Sequence, residues 1–177
     1  MDSQDARASQ ETEILASGAM VEWKSVFAEQ LPRVYNYFRF RAGSRPDAED
    51  LTAKTFEKAW RARHRYRTDR AGFSTWLFEI ARNVATDHLR STRVHLPLAA
   101  ALDLPSRTTP EQEVSDGSDI ARLRGLMSGL QPLQRELLAL KYGAALNNRM
   151  IAKLTGLTES NVGTALSRLV SKLRSQW

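Results

Sequence analysis

Arg61, Arg63, Arg65, Arg67 and Arg70 recur through the stretch RARHRYRTDRAGF, with Tyr66 and Phe73 set among them. Guanidinium groups pair with phosphates and flat rings stack on bases, so this mixture has the chemistry to hold single-stranded nucleic acid. The stretch runs directly into STWLFEIARNVATDHLRS, where Leu77, Ile80, Ala81, Val84 and His88 share one face at helical spacing and Ser74 is placed as the N-cap. The opposite face carries Thr75, Glu79, Arg82, Thr86 and Arg90. Arg82, Thr86 and Arg90, at four-residue intervals, would follow a DNA backbone laid along this helix. A solvated helix face has the same composition, so the stripe alone leaves both readings open.

A second candidate lies in the C-terminal segment NNRMIAKLTGLTESNVGTALSRLVSKLRSQW. A short helix ending near Leu154, the turn Thr155-Gly156-Leu157 and Thr158 as the N-cap of a longer helix read as a helix-turn-helix. Val162, Leu166, Leu169 and Leu173 face inward in that longer helix. Ser160, Asn161, Gly163, Thr164, Ser167, Arg168, Ser171 and Lys172 face out. Small polar groups can approach base edges, and the cations beside them suit phosphates. The same motif occurs in proteins that never touch DNA; the basic chain around it favours DNA binding.

The elements that must position these residues follow from periodicity. Residues 1–20 are polar and mixed in charge, which predicts a disordered N-terminal extension. Trp23, Val26, Phe27, Leu31, Val34, Tyr35 and Phe38 keep helical spacing, but Pro32 is expected to break the run and start a second helix at its N1 position. GSRP makes a turn, and Pro46 opens a helix with Asp47, Glu49 and Asp50 in its first turn. Ala48, Leu51, Thr55, Phe56, Ala59 and Trp60 form its core stripe. Glu49, Asp50, Lys54, Glu57, Lys58 and Arg61 form a polar face, either solvated or a docking surface. Residues 21–94 thus make a first helical bundle.

Over residues 95–118, Pro97, Pro105 and Pro110 interrupt any pattern, as expected of an extended linker and most simply of a plain tether. Residues 119–177 make a second domain, with Ile120, Leu123, Leu126, Met127 and Leu130 periodic and a helix through Leu133 to Tyr142 that Gly143 ends. The expected fold class is all-α: two small helical domains joined by an extended linker, the second ending in the helix-turn-helix. Because the linker supplies few contacts, the two domains are expected to move as separate bodies.

Composition bounds the chemistry. The 177-residue chain carries a formal net charge of +6 and a sequence pI near 10.0, which favour an anionic partner. It has no cysteine, so disulfides, thiolate catalysis and cysteine-ligated zinc are excluded. His64, His88 and His95 fall in a loop edge, a buried helix face and a linker, so no metal site is expected, and His88 reads as a core histidine. There is no glycine-rich phosphate loop, no nucleophile-base-acid arrangement and no ligand cluster, so neither catalysis nor a cofactor is expected. Nothing reads as an export signal or a membrane span, so a cytoplasmic protein without membrane insertion is expected.

DAEDLTAKTFEKAWRA, the loop into FSTWLFEIARNVATDHLRS, and LQPLQRELLALKY followed by the helix-turn-helix stand in the order seen in bacterial RNA polymerase sigma factors of the extracytoplasmic-function group, which the chain resembles. The resemblance implies that the first domain docks on core RNA polymerase through Asp47, Glu49, Asp50, Lys54 and Glu57. It implies that this domain opens the minus-ten promoter element, with Arg65, Arg67, Thr68, Arg70, Phe73, Trp76, Arg82, Asn83, Thr86 and Arg90 on duplex or melted DNA. Ser160, Asn161, Thr164, Ser167, Arg168 and Lys172 would read the minus-thirty-five element. An anti-sigma factor is an implied partner, and by similarity the linker threads through the polymerase. The chain departs from the family's pattern at Ala53-Lys54, which reverses one charge in the docking helix, and in a recognition helix lacking two of the family's cations. Two other functions stay open: a sigma-like decoy for an anti-sigma factor, and an ordinary helix-turn-helix regulator that binds duplex DNA without polymerase.

Overall fold

The computed structural model describes residues 12–14, 20–42, 44–67, 72–94, 122 and 125–177. Thr68 and Arg70 of the arginine-rich loop, and the linker over residues 95–118, lie outside them. Where the sequence predicts an unstructured extension, two short strands, β1 (Thr12–Ile14) and β2 (Met20–Glu22), pair antiparallel with Thr12 opposite Glu22. Everything else described is helical or turn.

Helix α1 spans Trp23–Ala42 without interruption, so the expected break at Pro32 does not occur. Pro32 removes the bond to the carbonyl of Ala28, but both residues are exposed and water can take that carbonyl. On the other side of the helix Gln30, Val34, Tyr37 and Phe38 are buried on both sides of the proline, and their packing holds one axis. Helix α2 (Arg45–Ala62) starts where the sequence places it: the Ser44 hydroxyl accepts from the Asp47 amide at 3.1 Å and Pro46 sits in the first turn. Ala48, Leu51, Thr55, Phe56 and Ala59 are buried as expected, but Trp60 is 45% exposed. A short 3-10 turn, Arg63–Arg65, ends α2.

Helix α3 runs Phe73–Val94, and the Trp76 amide donates to the Gly72 carbonyl. Ser74 therefore lies inside the first turn and is not the N-cap; its hydroxyl donates to Gln30 Oε1 at 3.3 Å. Leu77, Ala81 and Val84 are buried as expected, and Thr75, Phe78 and Ala85 are buried as well. The helix has two covered sides because α1 and α2 pack on one and the second half of the chain on the other.

In that second half, α4 (Pro132–Leu138) opens on a capping box of Gln131 with Gln134 and widens into a π turn, Ala139–Gly143. Helix α5 (Asn148–Thr155) ends on Gly156 at φ 75°, and α6 (Glu159–Gln176) starts on Thr158, whose hydroxyl accepts from the Asn161 amide at 3.2 Å. These are the helix-turn-helix boundaries that the sequence predicts. Gly143 is not a left-handed cap. A Cβ there would stand 2.9 Å from the Asn36 carbonyl oxygen and 3.0 Å from Tyr37 Cα, so glycine lets the π turn press on the backbone of α1.

In the structure the two halves are packed together: α1 packs on α4 and on the π turn, α3 packs on α5, and the buried residues of both halves join in one cluster. Linker composition could not reveal this, because the contacts come from helix surfaces distant in sequence. Phe78, fully buried beside Tyr37 at 5.7 Å between ring centroids, sits in that cluster. Phe78→Ala is expected to cost about 3–5 kcal/mol in urea unfolding followed by circular dichroism.

Candidate nucleic-acid interface

The loop and the start of α3 are built on rings. Tyr66 lies 5.5 Å from Phe73 and 5.0 Å from Trp76, and Trp23 lies 5.6 Å from Phe73 and 5.5 Å from Trp60. Three of these pairs are edge-to-face and Tyr66–Trp76 is tilted, and together the rings form a packed aromatic cluster at the start of α3. Tyr66 is only 3% exposed, so the sequence expectation that it offers a face to a base is corrected; burial also raises its phenol pKa. The exposed ring is Trp60, on which the Arg63 guanidinium stacks at 4.1 Å. Trp60 keeps the spacing of a core residue, and only its place before the arginine run could have marked it for the surface. Arg65 and Arg67 are exposed, while Phe73 and Trp76 are partly covered. Beside them an open cleft of about 400 Å³ is lined by Gln30, Gly72, Phe73, Ser74 and, from the second half, Met150.

The expected stripe along α3 divides. Asn83, Thr86 and Arg90 are exposed, the Thr86 hydroxyl donating to the Arg82 carbonyl. Arg82 turns the other way. Its Nε meets Glu136 Oε1 at 2.6 Å and its Nη1 donates to the Leu154 carbonyl. Arg33 and Arg41 reach across similarly, Arg33 Nε to the Ala144 carbonyl at 2.9 Å and Arg41 Nη1 to the Pro132 carbonyl at 3.4 Å. In the same seam, burial, reinforced by the Glu136 carboxylate, pushes the Tyr37 phenol well above its ordinary pKa, so it stays neutral. Arg33 also donates to Gln30 Oε1 and Ser74 Oγ, which ties the start of α3 to the seam. Sequence reasoning missed Arg33, Arg41 and Glu136, whose partners are far away in the chain.

The helix-turn-helix presents its outer face intact. Val162, Leu166 and Leu169 are buried, and Ser160, Asn161, Thr164, Ser167, Arg168 and Lys172 are all exposed on α6. A Cβ added to Gly163 would lie 3.4 Å from the Asn148 side chain, so α5 and α6 come close there.

Helix α2 carries the candidate docking surface. Asp47 is half-buried and Glu49, Asp50, Lys54 and Glu57 are exposed. Lys54 pairs with Asp50 at 2.6 Å and Arg61 with Glu57 at 2.6 Å, both one turn apart. The reversed charge at Lys54 is therefore met within the helix. Next to these residues lies an apolar groove between α1 and α2, lined by Phe27, Leu31, Tyr35, Ala53 and Phe56. Among the described residues no cluster could hold a metal ion, and no helix is long and apolar enough to cross a membrane.

Both surfaces fall within known family models. Residues 26–94 match Sigma-70 region 2, and residues 120–173 match Sigma-70, region 4. The RNA polymerase sigma factor CarQ of Myxococcus xanthus is 31% identical over 160 residues, which cover 89% of this chain and 90% of the relative. The chain belongs to the RNA polymerase sigma factors. Within them it falls in the extracytoplasmic-function group. The ECF RNA polymerase sigma factor BldN of Streptomyces coelicolor is 29% identical over 175 residues, 97% of this chain and 66% of the relative. The probable RNA polymerase sigma factor RfaY of Xanthomonas campestris pv. campestris is 35% identical over 137 residues, 73% of this chain and 34% of the relative. The chain thus spans about two thirds of the first and about a third of the second.

Solved sigma factors share the fold. One is RpoE in complex with the anti-sigma factor NepR from Bartonella quintana, with a TM-score of 0.70 at 20% identity over 87% of this chain and 95% of that one. Another is CnrH in complex with the cytosolic domain of CnrY, with a TM-score of 0.65 at 20% identity over 87% of this chain and 86% of that one.

The exposed face of α6 generates a prediction for this sigma factor. Arg168→Ala is expected to flatten the dependence of duplex DNA binding on log salt by about one unit, one phosphate contact, as read by fluorescence anisotropy over a salt series. An unchanged slope would move Arg168 off the DNA.

Proposed function

We propose that this sigma factor binds core RNA polymerase, directs it to specific promoters and melts the minus-ten element, acting in the cytoplasm and without catalytic residues of its own. The observation that carries the reading is the pairing, in one member of the family, of a ring-and-arginine rim at the root of α3 with an open recognition face on α6. Melting requires a base to leave the stack, at about a few kcal/mol, and something to receive it. Arg65, Arg67, Phe73 and Trp76, with Thr68 and Arg70 in the intervening loop, supply cations for the strand and rings for the base. Asn83, Thr86 and Arg90 continue the path along α3, with Arg82 joining once it is released. Ser160, Asn161, Thr164, Ser167, Arg168 and Lys172 read the minus-thirty-five element in the major groove.

The helix face of Asp47, Glu49, Asp50, Lys54 and Glu57 docks on the polymerase, and the adjacent apolar groove adds area to that contact. Residues 21–94 are assigned to docking and melting, residues 95–118 to a linker, and residues 119–177 to minus-thirty-five recognition. An anti-sigma factor is the expected protein antagonist, a reading supported by the solved RpoE, which was captured with the anti-sigma factor NepR. The decoy reading rests on Lys54 and on the recognition helix lacking two of the family's cations; Lys54 pairs with Asp50 one turn away. Run-off transcription with core polymerase separates a sigma factor, which supports it, from a decoy or an ordinary helix-turn-helix regulator, which do not.

Arg67→Ala with Arg70→Ala is expected to impair opening of duplex promoters while sparing templates that already carry a mismatched bubble, where the unstacking cost is absent. Permanganate reactivity of minus-ten thymines reports opening on both templates. Equal defects on both would assign the loop to docking, and wild-type behaviour on both would leave it a solvated turn.

A further inference from the structure

The cleft at the root of α3, about 400 Å³, has room for a nucleobase, and of its lining the proposed strand site uses Phe73 alone. Val26, Phe73 and Met150 give it apolar walls, Glu29 and Gln30 of α1 line it with polar groups, and Gly72 lies at its exposed side.

Gln30 is 3% exposed, and its hydrogen bonds decide which way its amide faces. The Oε1 atom accepts from Arg33 Nη1 at 3.0 Å and from the Ser74 hydroxyl at 3.3 Å, which uses both lone pairs of the oxygen. Nε2 is therefore the group left for other partners. It donates one hydrogen to Glu29 Oε1 at 2.9 Å, and among the described residues no acceptor meets the second. A buried amide hydrogen without an acceptor is costly, so its persistence calls for a partner from outside the chain. Glu29 is exposed and keeps most of its lone-pair sites open.

The cleft wall thus presents an N–H beside a carboxylate. Its complement is an edge with an acceptor beside donors, as on the Watson–Crick edge of a base, which becomes available only when the base leaves its pair. Guanine fits most fully: N1–H and the N2 amine can both donate to Glu29 while O6 accepts from Gln30 Nε2. Adenine, cytosine and thymine each offer a single donor there. Phe73 and Val26 supply the flat and aliphatic surfaces between which a base can lie.

We propose that this cleft takes one unpaired base of the melted strand, guanine by preference, read along its Watson–Crick edge by Glu29 and Gln30. The proposal rests on the reading of the arginine-rich loop as the strand-binding surface, and it gives α1 a part in selecting sequence. Arg33 and Ser74 act through Gln30, as positioning residues that hold its amide. Glu29 has the sign of charge of a phosphate, so an acid there weakens DNA binding unless it bonds a base. That sign makes the test decisive.

The test uses the full chain and fluorescence anisotropy with a short single-stranded oligothymidine that carries guanine, adenine, cytosine, thymine or an abasic residue at its centre. The guanine strand is expected to bind about tenfold tighter than the abasic one, with the other bases between them. Glu29→Gln should bring the guanine strand to the level of the other bases without weakening the abasic strand. Gly72→Leu should fill the cleft from its exposed side and abolish the preference, with abasic binding as in the parent. A Cβ at Gly72 meets nothing within 4 Å, so the fold accommodates it. Circular dichroism checks folding, and if Gly72→Leu fails to fold, Glu29→Gln decides.

Equal binding of all five strands by the parent overturns the proposal, as does a preference for another base. A guanine preference that survives Glu29→Gln overturns it too, and so does a Glu29→Gln variant that binds every strand tighter by one factor. Arg65→Ala separates these failures from failure of the strand surface itself. If it weakens every strand and flattens the salt slope by about 0.7, the loop stands as the strand-binding surface whatever becomes of the cleft. If it changes nothing, or if no strand binds, the loop reading falls and the cleft proposal falls with it.

Discussion

The backbone of Gly143 meets the backbone of Asn36 and Tyr37 at a separation that only glycine permits, and much of the architecture depends on that approach. It brings the π turn Ala139–Gly143 against α1, which sets α4 beside α1 and α5 beside α3. The π turn is what delivers it. The Ala144 amide bonds to the Ala139 carbonyl five residues back, widening the helix end so that Gly143 bulges toward α1. With the halves joined there, α3 acquires a second buried side, and Phe78 and Ala85 enter the core beside Leu77, Ala81 and Val84.

The arginines show how little a charge count says about where charge is used. Arg63 lies flat on Trp60, Arg61 pairs with Glu57 along a helix, and Arg33, Arg41 and Arg82 bind acceptors across the seam. Arg135 donates to the carbonyls of Met127, Ser128 and Leu130, and its burial, with Arg41 nearby, lowers its pKa. A net charge of +6 is therefore compatible with an anionic partner without stating which cations face it. Arg65, Arg67, Arg90, Arg168 and Lys172 are exposed.

Polar ties in the seam favour a contact that can open. An apolar interface of the same extent would fuse the halves, whereas guanidinium groups bonded to carbonyls can exchange those partners for phosphate or water at modest net cost. The buried cluster shared by both halves, Tyr37 and Phe78 among it, supplies the apolar part, so the seam is tight without being wholly hydrophobic.

The sequence by itself determined whatever depends on neighbours within a turn or two. Pro46 in the first turn of its helix, Thr158 as a cap, the turn at Thr155-Gly156-Leu157, the burial of Val162, Leu166 and Leu169, and the exposed face of α6 all follow from spacing and side-chain chemistry, as did the family. Only the tertiary structure decided what depends on distant chain: that Pro32 is carried through one helix, that Ser74 faces Gln30 and not its own helix end, that Tyr66 is covered and Trp60 is not, and that Arg82 serves Glu136 and Leu154. The physical reason is the same in each case. A periodic pattern marks one apolar face per helix, but a helix packed between two neighbours has two, and an arginine's partner is fixed by whichever acceptor the fold brings within reach.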